Sequence, residues 1–287
     1  MGFLLIILQQ SLQTVESMIM RRCSKKNGND GFIFNAMIVF FAMLFSLVSD
    51  VNGIHFNKDI LLYGLLGGPL YAAGFVLVFI ALKEGSFILS SMICSFAIIF
   101  PIFYGTIFLN EKIGPLAIVG ICLVFVSIVM SAMGKSKSNP TSGKISLKWF
   151  ICIILAMMAN GGITILIRVQ QIAFNNESNN EFYTVCFAVA FLILAIIGLA
   201  KDGRRLGSIL KRNTLYGVST GCVNAFKNLI APTIYLYLPI SIASPLQTGF
   251  SQVAGFIISY FIYKERFTKL QLVSIALGII SLVLMNI

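Results

Sequence analysis

The chain has 287 residues, of which 58% are hydrophobic and 11% charged, with a mean hydropathy of +0.93 and a formal net charge of +11. Soluble globular domains are roughly half apolar and a quarter charged, so this composition excludes an ordinary soluble domain and predicts an all-α membrane protein. Connections between the apolar runs reach only about a dozen residues, which leaves no room for a soluble catalytic domain.

Crossing the hydrocarbon core takes about 20 apolar residues per helix, and ten such runs are predicted at 3–20, 32–49, 60–82, 86–109, 113–133, 149–169, 182–200, 214–235, 242–263 and 268–286. The first run lacks a basic leader and is followed by Arg21 and Arg22, so it reads as a membrane helix and not as a signal peptide. Gln9, Gln13 and Glu16 fall on one face of it, at i, i+4 and i+7. Two roles stand open for Glu16. It can pair with the basic boundary at Arg21, about 7 Å of helix rise away, or it can titrate in low dielectric and couple proton movement to another process.

His55, with Asp50 and Asp59, falls in the connection after the second run and reads as a solvated loop residue. Gly67, Gly68 and Pro69 in the third run, and Gly217 and Gly221 in the eighth, favour close packing or bending. The fourth run carries Ser90, Ser91 and Ser95 before Pro101, and Glu111 then opens the fifth. The sixth holds Asn160, Thr164 and Arg168 at i, i+4 and i+8. For the Gln, Asn and Thr residues, hydrogen bonding between helices and lining of a polar cavity both fit, while Arg168 reads as an interfacial anchor.

Lys227, in GCVNAFKNLIAP, is the most conspicuous charge. With the eighth helix starting near Thr214, it lies about 20 Å along a core of about 30 Å. Asn224 and Asn228 flank it, and Pro232 follows. Lys227 can bind a carboxylate or phosphate of a substrate, pair with Glu16, or snorkel to the surface along its alkyl stem. The ninth run shows a polar stripe at helical spacing: Ser244, Gln247, Thr248, Ser251 and Gln252, before Gly255.

Five of the six cysteines lie inside apolar runs, with no CxxC and no His pairing, so neither a disulfide framework nor a metal site is expected. No GxxxxGK[ST] phosphate loop occurs, and no cofactor is expected. Paired aspartates and Ser/His arrangements are missing from the apolar runs, which argues against an intramembrane enzyme.

The positive charge is one-sided. Connections after the odd-numbered runs hold 17 of the 21 basic residues: four at 21–26, one at 83, four at 135–148, five at 201–212 and three at 264–269. Connections after even-numbered runs hold only Lys58 and Lys112. The positive-inside rule then places the odd connections in the cytoplasm and both termini outside, and nucleic acid is not needed to explain the charge.

A shift of 154 residues pairs Glu111 with Glu265, Gly67 with Gly221, Ser90 with Ser244 and Ser127 with Ser281; a shift of 147 pairs Gln13 with Asn160, Ser17 with Thr164 and Arg21 with Arg168. A five-helix unit is odd in number, so its second copy enters the membrane from the opposite face. The basic loop RRCSKKNGND and its counterpart QIAFNNESNNE, which lacks Lys and Arg, agree with that inversion. The predicted architecture is ten transmembrane helices as two inverted five-helix repeats, 1–133 and 149–287, joined by a basic cytoplasmic linker at 134–148.

ALKEGSFILSS leading to FLNEKIGPLAIVGICLVF, and YLPISIASPLQ leading to FIYKERFTKLQLVSIALGII, resemble the pattern of the drug/metabolite transporter superfamily, specifically its ten-helix EamA-type branch. The resemblance implies two five-helix bundles, a central cavity lined chiefly by helices 1, 3, 4, 6, 8 and 9, and transport without ATP hydrolysis. Small multidrug transporters of this superfamily have an essential glutamate in helix 1, but its spacing to the next basic residue differs from that of Glu16 here.

Together these readings predict a secondary transporter of small organic metabolites, amino acids or drug-like compounds in the plasma membrane, working by alternating access as a monomer or homodimer. The expected substrate-binding residues are Lys227, Asn224, Asn228, Gln13, Asn160, Thr164, Gln247 and Ser251, with Glu16 coupling to a proton or cation. One alternative is a flippase or exchanger for a lipid-linked sugar or nucleotide sugar, with Lys227 on phosphate. Another, from a different class, is a non-transporting membrane scaffold.

Overall fold

The structure is a computed structural model that describes residues 1–27, 31–49, 57–84, 93–133, 147–261 and 268–285. Ten α-helices occur among these residues: α1 Gly2–Asn27, α2 Gly31–Val48, α3 Lys58–Glu84, α4 Ile99–Phe108, α5 Pro115–Met133, α6 Leu147–Ala173, α7 Asn179–Asp202, α8 Leu206–Tyr237, α9 Ile240–Phe261 and α10 Lys269–Leu284. A 3-10 turn, Phe96–Ile98, leads into α4, and another, Gly203–Arg205, links α7 to α8. Each helix falls on one of the ten predicted runs.

By length and composition, α1, α2, α3, α6 and α7 can each cross a membrane, while the α4, α5 and α10 regions form shorter apolar helices. The eighth and ninth helices are long enough but broken up by polar side chains, which is where the sequence placed Lys227 and the Ser/Gln stripe. The eighth helix also begins eight residues before the predicted start at 214. Leu206–Asn213 contains good helix formers such as Leu, Lys and Arg, so the helix runs on where the hydropathy stops.

The described residues form two compact units, each drawing on both halves of the sequence: residues 1–10, 80–165 and 234–287, and residues 11–79 and 166–233.

In the second unit, α2 and α7 pack along their length. Phe32, Ala36 and Val39 of α2 meet Ala190 and Leu194 of α7 and Ala72 of α3 in one buried cluster. Close approach depends on small residues, as expected where lipid removes the hydrophobic drive between helices and packing must replace it. A β-carbon on Gly221 of α8 would lie 2.6 Å from Phe41 Cβ and 2.7 Å from the Ile38 carbonyl of α2. The turn from α6 to α7 uses Asn175 and Asn176 at positive φ (49° and 66°), a region asparagine tolerates. Asn179 Nδ2 fixes that turn by donating to the Asn176 carbonyl and Oδ1 at 3.0 and 2.9 Å. At the other end of α7, the Lys201 ammonium lies 4.5 Å from the centre of the Phe32 ring, a cation–π contact that also sets a positive charge on a helix C-terminus.

In the first unit, Ser127 of α5 is buried, donates to the Ser274 carbonyl of α10 (2.7 Å) and has its hydroxyl 3.1 Å from the Gln252 side-chain amide of α9, tying three helices together. The tenth helix starts on a capping box, in which Gln271 N donates to Thr268 Oγ1 and Thr268 N donates to Gln271 Oε1.

Glu111 caps a helix that begins 129 residues later. After α4 the chain turns through Asn110 at φ 51°, and Glu111 N donates to the Gly105 carbonyl at 3.0 Å. The Glu111 carboxylate then accepts from Ile240 N (3.1 Å), Ser241 N (3.0 Å) and Ser241 Oγ (2.6 Å) at the first residues of α9. A helix N-terminus presents unpaired N–H groups and the positive end of its dipole, and the carboxylate answers both. Glu111→Ala is expected to cost about 1–2 kcal/mol, the usual range for losing a strong N-cap, read as a lowered thermal midpoint of the purified protein. A midpoint equal to wild type would show that the cap contributes nothing. Glu265, its sequence counterpart, lies outside the described residues, as do His55, Asp50, Ser90, Ser91, Arg266 and residues 134–146 of the predicted linker.

Candidate functional site

The second unit holds one connected polar network inside apolar helices. Glu16 lies on α1 three residues, nearly one turn, after Gln13, so both side chains project from the same face. Asn224, Lys227 and Asn228 occupy α8 at i, i+3 and i+4, again on one face. Tyr71 comes from α3.

Lys227 Nζ forms an ion pair with Glu16 Oε2 and donates to Gln13 Oε1 at 2.6 Å. Asn224 Nδ2 donates to the other carboxylate oxygen, Glu16 Oε1, at 2.8 Å. Tyr71 OH donates to Asn224 Oδ1 at 2.9 Å and accepts from Asn228 Nδ2 at 3.3 Å. Asn228 Nδ2 also reaches Asn224 Oδ1 (3.0 Å) and the Asn224 carbonyl (2.8 Å). Polar side chains thus link three helices.

The pair is buried: the side chain of Glu16 is 4% exposed and that of Lys227 13%, and Asn224 is 1% exposed. Of the roles open to Lys227, the structure shows the pairing with Glu16; its ammonium is held by two helix 1 side chains. Glu16, correspondingly, is bound to Lys227 and Asn224 of α8. Tyr71 is set by ring contacts with Phe75 of its own helix and Phe187 of α7, with centroids 5.4 and 5.3 Å apart. Beyond the network, Pro232 has no N–H with which to bond the Asn228 carbonyl one turn back.

Five of the nine residues singled out in the sequence meet in this network: Gln13, Glu16, Asn224, Lys227 and Asn228. The other four lie in the first unit. Gln247 Nε2 of α9 donates to Gln9 Oε1 of α1 at 2.9 Å, so the third polar residue of the helix 1 face has a partner there. Thr164 Oγ1 of α6 turns back onto the Asn160 carbonyl of its own helix at 3.0 Å, a local bond common for threonine in helices. Asn160 is half-buried and Ser251 exposed. Arg168, in the second unit, donates to Gln171 of the same helix.

Tyr71 was not among the expected residues. A tyrosine among Leu, Phe and Ala reads as core or interfacial aromatic, and no spacing rule ties α3 to the Asn224 side chain 153 residues away.

Ten helices rich in apolar residues, two of them joined by an ion pair, define a multi-pass membrane protein. Residues 1–133 match the model of the EamA-like transporter family, consistent with the drug/metabolite transporter superfamily. A crystal structure of a protein superposes with a TM-score of 0.76 over 100% of this chain and 98% of its own, at 11% sequence identity; that likeness concerns the fold. No curated protein matches the chain by sequence.

Proposed function

We propose that the chain is a secondary transporter, a permease or exporter of small organic solutes, that works by alternating access in the plasma membrane. Its two halves are inverted copies, the odd-numbered connections face the cytoplasm and both termini lie outside. The observation that carries this reading is the buried Glu16–Lys227 pair within a six-residue network. Charges inside a bilayer are expensive, and replacing a buried pair by apolar residues often leaves stability unchanged or improved. A pair kept at that cost points to use. The match of residues 1–133 to a transporter family points the same way, and a scaffold has no need of the pair.

The network contributes groups that recognise a polar solute: an ammonium, a carboxylate, three amides and a phenol, on α1, α3 and α8. Their mutual bonds hold the unloaded site, and a solute replaces some of them. The test is a thermal-shift screen of the detergent-purified full chain against amino acids, sugars, nucleotide sugars and cationic drugs at two pH values, since ligand binding to the folded state raises apparent stability. Compounds that stabilise are then followed for flux into proteoliposomes. Saturable flux of a stabilising compound is expected; no stabilisation and no flux across the panel, with folded protein, contradicts the reading.

A further inference from the structure

The Glu16 carboxylate is held by two donors from α8. It presents one oxygen to Lys227 Nζ and the other to Asn224 Nδ2, 2.8 Å away. Those two donors, steadied by Gln13 and Tyr71, form a fork fitted to a planar, two-oxygen anion. Glu16 occupies that fork as a tethered ligand. We propose that the site takes a small organic carboxylate, which displaces the Glu16 carboxylate from Lys227 and Asn224 as Glu16 takes up one proton. This inference rests on the transport reading and names its substrate class and coupling.

Charge balance gives the physical reason. In the unloaded site Glu16 (−1) and Lys227 (+1) cancel. An incoming carboxylate alone would leave a net −1 in a medium where an unpaired charge is strongly disfavoured. One proton from water, bound to the Glu16 carboxylate as the substrate anion arrives, restores zero: neutral Glu16, Lys227 (+1), substrate (−1). Loaded and unloaded sites are then both neutral, and either can change conformation without carrying a bare charge through the membrane. Tyr71 of α3 faces Glu16, and Cys186 of α7 lies beside Tyr71; neither changes charge in this scheme.

Because the resident carboxylate competes, the apparent affinity is the intrinsic affinity scaled by the fraction of sites in which the fork is free. Protonation of Glu16 frees it, so binding tightens as pH falls, by about tenfold per pH unit where one proton is taken up per ligand. Glu16→Gln mimics the protonated side chain. It is expected to bind carboxylates about tenfold or more tighter at neutral pH than wild type, with the pH dependence gone.

The experiment is calorimetric titration of the full chain in nanodiscs with formate, acetate, lactate and benzoate, each paired with its neutral amide, and with inorganic phosphate. Wild type should bind at least one carboxylate with uptake of one proton, its amide not at all, and phosphate at least about tenfold more weakly above neutral pH, since the dianion leaves one negative charge uncompensated in the site. Lys227→Met should abolish this binding. Absence of carboxylate binding to both wild type at low pH and folded Glu16→Gln overturns the inference, as does binding without proton uptake or tighter binding of phosphate. Should Glu16→Gln fail to fold, proton uptake and pH dependence of wild type decide. Flux of a non-anionic solute without carboxylate binding would sink this inference and leave the transport reading standing; carboxylate binding without flux of any solute would do the reverse.

Discussion

Lys227→Met is expected to lower the unfolding free energy by about 3–5 kcal/mol, the cost of leaving a buried charge without its partner, and to abolish transport. Glu16 is 3% exposed, so water does not replace the lost ammonium, and Gln13 loses its donor at the same time. Methionine keeps the length of the lysine stem, so the change reports on charge and not on a cavity. Stability and function should separate in the double variant Glu16→Gln, Lys227→Met. With both charges gone no bare ion remains, and replacement of a buried pair by neutral groups is often neutral or stabilising. Its thermal midpoint should return close to wild type, while transport stays lost. A Lys227→Met protein as stable as wild type would show that the pair is not buried in the folded chain; a double variant that transports normally would show that the pair serves packing alone.

Gly221→Val should be strongly disruptive although it lies outside the network. Its β-carbon would meet Phe41 Cβ at 2.6 Å, the Ile38 carbonyl at 2.7 Å and the Ala42 amide at 3.1 Å. Two of those three atoms belong to the α2 backbone, which cannot step aside as a side chain tip can. Overpacking of this kind costs about 1–3 kcal/mol and sometimes more. Displacing α2 from α8 would also move the helix that carries Asn224 and Lys227, so loss of stability and of ligand binding are expected together. Folding yield and thermal midpoint check this; Gly221→Val with both unchanged would mean that the α2–α8 approach is looser than the structure has it.

The helices were legible because a bilayer-length apolar run is a strong signal, and each of the ten observed helices falls on such a run. Their extents were less legible. Hydropathy marks where a segment can be buried in lipid, whereas backbone hydrogen bonding continues through any residue that tolerates helix, which is why α1 reaches Asn27 and α8 starts at Leu206.

Within the site, the elements that share a helix could be read from spacing: Gln13 with Glu16, and Asn224 with Lys227 and Asn228. Pairing between helices could only be posed as one of several choices, since nothing in the order of residues says that positions 16 and 227 touch. Tyr71 lay beyond reach for the same reason, because a phenol in an aromatic-rich helix carries no mark of its hydrogen-bond partner. Glu111 shows a subtler limit. It stood out through its resemblance to Glu265, yet its contact with the first turn of α9 became visible only once the fold brought residues 111 and 241 together.

Flux across the membrane, compared between two folded proteins, tests the central claim most directly. Wild type and the Glu16→Gln, Lys227→Met double variant should be reconstituted side by side in proteoliposomes and supplied with a radiolabelled compound that stabilises the wild-type chain. Saturable uptake by wild type with none by the equally folded double variant is the predicted result. Equal uptake by both would place the substrate elsewhere and contradict the assignment of the Glu16–Lys227 network as the transport site.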